Sequence, residues 1–306
     1  MPPNYWGVIP KSFGNLRGLQ TLDARRFGDR QWSINVTKLQ NLRRLFTSTD
    51  YPVAISKGIG NLKELQVLKW IDLKRSHRRV IEELAQLQQL RKLGVSGLRS
   101  ELYENFFHSI GELNSLRSLG IRIATSEEAA AVFQDSVSSP PEHLRSIELE
   151  GWIGKLPAWV SSRYNLAKVT LLKTRLDDDA IFVLQQLPNL LLLRLWEDSY
   201  VGAKLTFRSA KFSKLKQLYV WCLENLEELD FEEGTSPELQ TLVIKDCKLK
   251  SSINGAEHLP KLKKLILDEY VYVANLDEVQ RQVGEHPNHP ALEIKMPWYQ
   301  KRMEDL

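Results

Sequence analysis

The chain has 306 residues, 42% of them hydrophobic and 26% charged, so it can bury a large core and is too apolar to stay disordered. Its 42 Lys and Arg against 38 Asp and Glu leave a net charge of +4, too slight a surplus to mark a nucleic-acid binder or a membrane-surface protein. Two cysteines, Cys222 and Cys247, argue against a disulfide-stapled secreted design and fit a reducing, cytoplasmic compartment; no export signal and no run of about 20 apolar residues is visible.

An internal repeat organises the chain. Its unit is a leucine, two residues, an aliphatic, one residue and a second aliphatic, as in Leu116, Leu119 and Ile121 of LRSLGI. The leading position recurs at Leu19, Leu42, Leu65, Leu90, Leu116, Leu144, Leu166, Leu190, Leu215, Leu239 and Leu262, with a degenerate copy at His289. Spacings of 22 to 28 residues match the leucine-rich-repeat period and are too short for armadillo, ankyrin or tetratricopeptide units. The second and third aliphatics lie two apart, so both point to one side of a short strand, and the residue between them faces the other way. Parallel stacking then predicts an α/β solenoid: a leucine-rich-repeat horseshoe with a concave parallel β-sheet and short helices or loops on the convex side. About twelve units fill residues 1–306 as one domain, the last being the degenerate one at 286–298.

In chain order, the first unit has no capping element before it, which predicts a sticky or frayed edge at Ile9, Phe13, Leu19 and Leu22. Asn35-Val36-Thr37 is a glycosylation sequon that matters only in a secreted protein. Trp70 takes the third inward position after Leu65 and Leu68 and reads as core. The basic run Lys74, Arg75, His77, Arg78 and Arg79 leads into a helix predicted over Arg79–Leu87. Cations there oppose the helix dipole by roughly 0.3 to 1 kcal/mol each, so the run reads either as a face for an acidic partner or as a solvated loop. A further helix is predicted over 127–137 behind Ser126, in the longest interval, where Ser138-Ser139-Pro140-Pro141 marks the most irregular joint.

Glu148, Glu150, Glu197 and Asp198 read as acidic outward strand positions, meeting a basic partner or keeping the sheet soluble. KLPAWVSS at 155–162 predicts an extended or 3₁₀ return. Asp177, Asp178 and Asp179 read as the cap of the helix that follows rather than as a metal site. The extra triad Leu226, Leu229 and Phe231 predicts a convex-side strand or bulge. Cys247 sits where the repeat turns the chain inward, Cys222 has no assignable role, and His286 and His289 lack partners at metal spacing. The pattern offers no catalytic residue, cofactor site or metal site.

The register also sets columns on the concave sheet. The last runs through Leu172, Trp196, Trp221, Lys245 and Asp268, and the middle one through Arg194, Tyr219, Val243 and Ile266. Trp196, Tyr219 and Trp221 should therefore cluster with Arg194 beside them, in the residue types that dominate protein interfaces. Either this cluster binds a partner, or the aromatics pack on the neighbouring rim and stiffen the sheet.

GWIGKLPAWVSSRYNL (151–166), LPNLLLLRLWEDSYVGAKLTF (187–207) and NLEELDFEEGTSPELQTLVIKDCKL (225–249) resemble the repeat region of plant intracellular immune receptors, the coiled-coil class of nucleotide-binding, leucine-rich-repeat resistance proteins. The resemblance implies recognition of a pathogen effector or of a host protein that it modifies, together with restraint of a nucleotide-binding module. No Gly-rich phosphate loop occurs in this sequence, so that module would lie outside it. A substrate-recruiting ubiquitin-ligase subunit is the alternative class, although no F-box-like segment is seen. A secreted inhibitor or ectodomain is the third, carried only by GVIPKSFGN.

Overall fold

The computed structural model describes residues 14–26, 33–34, 36, 38–123, 133, 140–162, 164–268 and 271–295. Ile9, Phe13, Asn35, Thr37, Ser126, Ser138, Ser139 and, apart from Phe133, the helix expected over 127–137 lie outside them. The chain divides into two compact units, residues 1–151 and 152–306.

The first unit contains β1 (Thr21–Asp23), β2 (Ser33–Ile34), β3 (Arg44–Phe46), β4 (Ala54–Ile55), β5 (Val67–Asp72), β6 (Lys92–Ser96), β7 (Ser118–Arg122) and β8 (Ser146–Glu150). β1, β3, β5, β6, β7 and β8 pair in that order, all parallel, while β2 pairs with β4 on the return side. The leading leucines Leu42, Leu65, Leu90, Leu116 and Leu144 are fully buried. The residue after each one opens the next rung of the ladder: the Gln66 N–H donates to the Arg43 carbonyl at 2.8 Å, and the Arg91 N–H to the Gln66 carbonyl at 2.8 Å. Every rung thus satisfies the backbone of its neighbour while the leucines leave water, which is why no repeat is stable alone.

The returns of this unit carry α1 (Val80–Leu84) and α2 (Tyr103–Gly111). α1 is shorter than the helix expected over Arg79–Leu87. The chain turns at Ala85, with the Leu87 N–H donating to the Leu84 carbonyl at 3.0 Å, so that Leu87 and Leu90 can both enter the core.

The second unit contains β9 (Lys168–Leu172), β10 (Leu192–Trp196), β11 (Lys204–Phe207), β12 (Gln217–Trp221), β13 (Glu228–Phe231), β14 (Thr241–Lys245), β15 (Lys248–Leu249), β16 (Ser252–Asn254), β17 (Lys264–Asp268), β18 (Tyr272–Val273) and β19 (Ala291–Lys295). β9, β10, β12, β14, β17 and β19 form its parallel repeat sheet. Leu166, Leu190, Leu215, Leu239 and Leu262 are fully buried beneath it.

Its returns hold a 3₁₀ turn (Ala158–Val160) within KLPAWVSS, α3 (Asp178–Gln185) and α4 (Leu276–Gly284). They also hold a second parallel sheet of β11, β13 and β16. Leu229 and Phe231 of the predicted triad lie on the middle strand of that sheet, with buried Leu226 just before it, and Phe231 stacks on Phe207 with ring centroids 4.7 Å apart. Both units have the leucine-rich-repeat solenoid architecture.

Candidate functional site

The sheet face of the second unit carries the aromatic cluster. In β10, β12 and β14 the inward positions Leu193, Leu195, Leu218, Val220, Leu242 and Ile244 are at most 1% exposed, which forces the alternate residues outward. The register sets Leu172 beside Trp196, Trp196 beside Trp221, Trp221 beside Lys245, and Arg194 beside Tyr219. All six side chains are half-buried.

The Trp196 and Trp221 rings meet edge to face at 5.7 Å and 75°. Such a contact is worth about 0.5 to 1.5 kcal/mol beyond burial and keeps each ring from lying flat. The Arg194 guanidinium sits 5.5 Å from the Trp196 ring and 5.4 Å from the Tyr219 ring, and the Lys245 ammonium 5.5 Å from the Trp221 ring. The Trp221 indole N–H donates to the Asp246 carboxylate at 2.9 Å, fixing the ring plane. The result is an upright aromatic surface edged by cations, suited to covering a partner's apolar side chain and meeting an adjacent carboxylate.

Glu197 and Asp198 are not strand positions, contrary to the sequence expectation. β10 ends at Trp196, and both residues take left-handed backbone angles, φ 42° and 53°, in the turn beyond it. The same turn uses Lys173, Cys222 and Asp246 at φ 57°, 52° and 48°. Cys222 therefore has a place in the repeat after all, as a turning residue. Glu197 is neutralised by Lys173 at 2.9 Å.

The sheet face of the first unit holds an aromatic on the side opposite to the one its repeat position predicts. Trp70 is 5% exposed, as expected of core, yet it lies on the outer side of the sheet. β5 has one residue too many: pairing with β6 shifts between Leu68 and Ile71, so Leu68 and Ile71, not Trp70, oppose the inward Leu93 and Val95. The extra residue takes φ 61° and throws its indole outward, across Gly94 and Gly120. A Cβ at Gly94 would come within 3.3 Å of that ring, and one at Gly120 within 3.1 Å.

Lys69 and Arg122 cover the indole at 5.2 and 5.9 Å. They are anchored in turn by Glu148 at 3.5 Å and Glu150 at 2.7 Å. Glu148 and Glu150 thus do face outward, and their charges are spent inside the same face.

The basic run is divided by the fold. Arg75 is tied to the Asp72 carboxylate at 2.5 Å and donates to the Pro52 carbonyl. Lys74, Arg78 and Arg79 are exposed and have no carboxylate partner among the described residues. Arg79 sits at the N-cap of α1, whose first turn carries Glu82 and Glu83.

Asp177, His286 and Cys247 are bonded within the fold. The Asp177 carboxylate accepts the Ala180 N–H at 3.2 Å and caps α3. Buried His286 has one ring nitrogen on the Leu259 carbonyl and the other on the Asn288 N–H, at 3.1 Å each. The Cys247 thiol, 1% exposed, donates to the Lys245 carbonyl, and burial pushes its pKa up to about 11. Among the described residues no three His, Cys, Asp or Glu converge as a metal site, and no helix is long and apolar enough to cross a membrane.

The chain matches the model of the family described as "Leucine-rich repeat region" over residues 4–292. It is 30% identical over 257 residues to the Arabidopsis thaliana "Probable disease resistance protein RF45", a match covering 82% of this chain and 24% of that protein. It is 28% identical over 228 residues to the Arabidopsis thaliana "Disease resistance protein RPM1", covering 74% and 23%. The chain thus spans about a quarter of the length of the curated relatives it matches. Among solved structures, the Leptospira interrogans LRR protein LIC12759 is 18% identical, with a TM-score of 0.39 and coverage of 94% of this chain and 92% of that one. The buried leucine ladder and the family match agree: the chain belongs to the leucine-rich-repeat region family, and its similar curated relatives are plant disease resistance proteins.

Proposed function

We propose that this chain is the protein-binding repeat module of a plant innate immune receptor, acting in the cytoplasm to recognise a pathogen effector or a host protein modified by one, with no chemistry of its own. The observation that carries the reading is the upright cluster of Trp196, Trp221 and Tyr219 with Arg194 and Lys245, half-buried on the sheet face of the second unit. Half-exposed tryptophan, tyrosine and arginine held in place by neighbours bind at low entropic cost, because little freedom is left to lose on association.

Capture from infected plant tissue tests it. The intact chain should retain a partner that the Trp196→Ala/Trp221→Ala variant loses, with the same circular dichroism for both; equal recovery by both would reject the site. The exposed Lys74, Arg78 and Arg79 are assigned to restraint of a nucleotide-binding module, Arg75 being occupied by Asp72. Charge reversal at Arg78 and Arg79 should weaken binding of a separately expressed module, and unchanged affinity would remove that role.

A further inference from the structure

The return side of the second unit holds an exposed aromatic that the sheet-face reading does not use. On α3, Ala180, Ile181 and Leu184 take the core side, leaving Phe182 on the surface at 44% exposure. Two cations flank its ring, the Arg208 guanidinium at 5.9 Å and the Lys211 ammonium at 5.8 Å. Neither has a carboxylate within ion-pair distance among the described residues, whereas nearby Lys204 is neutralised by Glu228 at 2.8 Å and Asp230 at 3.0 Å.

Beside the ring, between α3 and β11, lies a cavity of about 160 Å³ lined by Ile181, Phe182, Gln185, Thr206 and Arg208, together with the charged Asp178 and Lys204. Two clamps hold it open. Buried Gln185 donates to the Thr206 carbonyl at 3.2 Å and accepts the Arg208 N–H at 3.0 Å. The Tyr200 hydroxyl lies within hydrogen-bond reach of both the Asp178 carboxylate and the Lys204 carbonyl and shares its one proton between them, so Asp178 is already engaged.

The loop that presents the cations is equally fixed. Ala210 and Phe212 take left-handed angles, φ 56° and 51°, although neither is glycine. Their N–H groups are bound by the Gly234 and Gln185 carbonyls at 3.3 Å each, and the Ser209 N–H by Glu232 at 2.8 Å. Left-handed residues of this kind are strained and persist only where the surroundings over-determine them.

We propose that this cavity is a second docking site, one that takes an acidic segment of a partner protein carrying a single apolar side chain. At about 160 Å³ the cavity has room for one side chain beside the Phe182 ring. The exposed Phe182 ring packs against it, while Arg208 and Lys211 meet carboxylates on either side. The two cations, without a carboxylate partner among the described residues, select acidic flanks over basic ones by simple charge complementarity.

The test is fluorescence anisotropy of the full chain with a short fluorescein-labelled peptide in which Glu residues flank one Phe. Binding should be salt-sensitive, should weaken roughly tenfold or more in Arg208→Glu/Lys211→Glu and should weaken in Phe182→Ser. It should persist in Trp196→Ala/Trp221→Ala, so failure of the sheet-face reading would leave this one standing. The proposal is overturned if the peptide does not bind at millimolar concentration, if charge reversal leaves its affinity unchanged, if a matching Lys-Phe-Lys peptide binds as well, or if inorganic phosphate or single-stranded DNA binds in preference.

Discussion

The two units place tryptophans on the same kind of surface and treat them oppositely. In the first, Trp70 lies down across Gly94 and Gly120 and is sealed by Lys69 and Arg122, each anchored to a glutamate. In the second, Trp196 and Trp221 have each other, Tyr219 and Arg194 as neighbours, with no glycine to lie upon, and they stand upright and half-exposed. An outward aromatic is therefore not in itself a binding surface. The side chains of the adjacent strands decide whether it closes the sheet or remains open to a partner.

Substitution of the two kinds of tryptophan should give the largest contrast. Trp70→Ala removes a nearly buried indole and exposes two bare glycine strands, so it should cost about 3 to 5 kcal/mol in urea unfolding; Trp196→Ala should cost only roughly 1 kcal/mol. Similar losses for both would erase the distinction.

Next in size is Gly120→Val. Its side chain would meet the Trp70 ring, since even a Cβ lies 3.1 Å away, and overpacking of this kind costs about 1 to 3 kcal/mol. Introduced together with Trp70→Ala, the valine should be tolerated, giving a coupling of roughly 1 to 2 kcal/mol in a double-mutant cycle. Additive effects would mean that the indole does not rest on Gly120.

Smaller again is Glu150→Gln, which leaves Arg122 without its 2.7 Å anchor; with both side chains partly exposed, about 1 kcal/mol or less is expected in thermal unfolding. The smallest change should follow Asp246→Asn, which keeps an acceptor for the Trp221 indole and should shift stability by only a few tenths of a kcal/mol, about 0.5 at most. A large loss there would show the carboxylate charge to be essential to ring placement.

Most of the fold was legible because burial imposes it locally. A leucine at each leading position needs only its own repeat and its neighbour, and the ten from Leu42 to Leu262 are fully buried. The column of Trp196 and Trp221 was equally readable, since strict alternation along a five-residue strand leaves no choice of face. Trp70 was not. Leu65, Leu68 and Trp70 spell the repeat correctly, and the true third position, Ile71, is hidden one residue further on by the inserted residue. Glycines at the outward centres of two successive strands were the available sign that something large lay over them.

The return side was half legible. The triad Leu226, Leu229 and Phe231 announced a strand, but its partners in β11 and β16 come from neighbouring repeats. The site at Phe182 joins α3 to a loop more than 20 residues away, which no periodicity encodes.

Hydroxyl-radical footprinting of the free chain and of the chain captured on its partner tests the central contrast most directly. Trp196 and Trp221 should be labelled in the free chain and protected in the complex, with Trp70 scarcely labelled in either. Unchanged labelling of Trp196 and Trp221 on binding, or ready labelling of Trp70 in the free chain, would contradict the account.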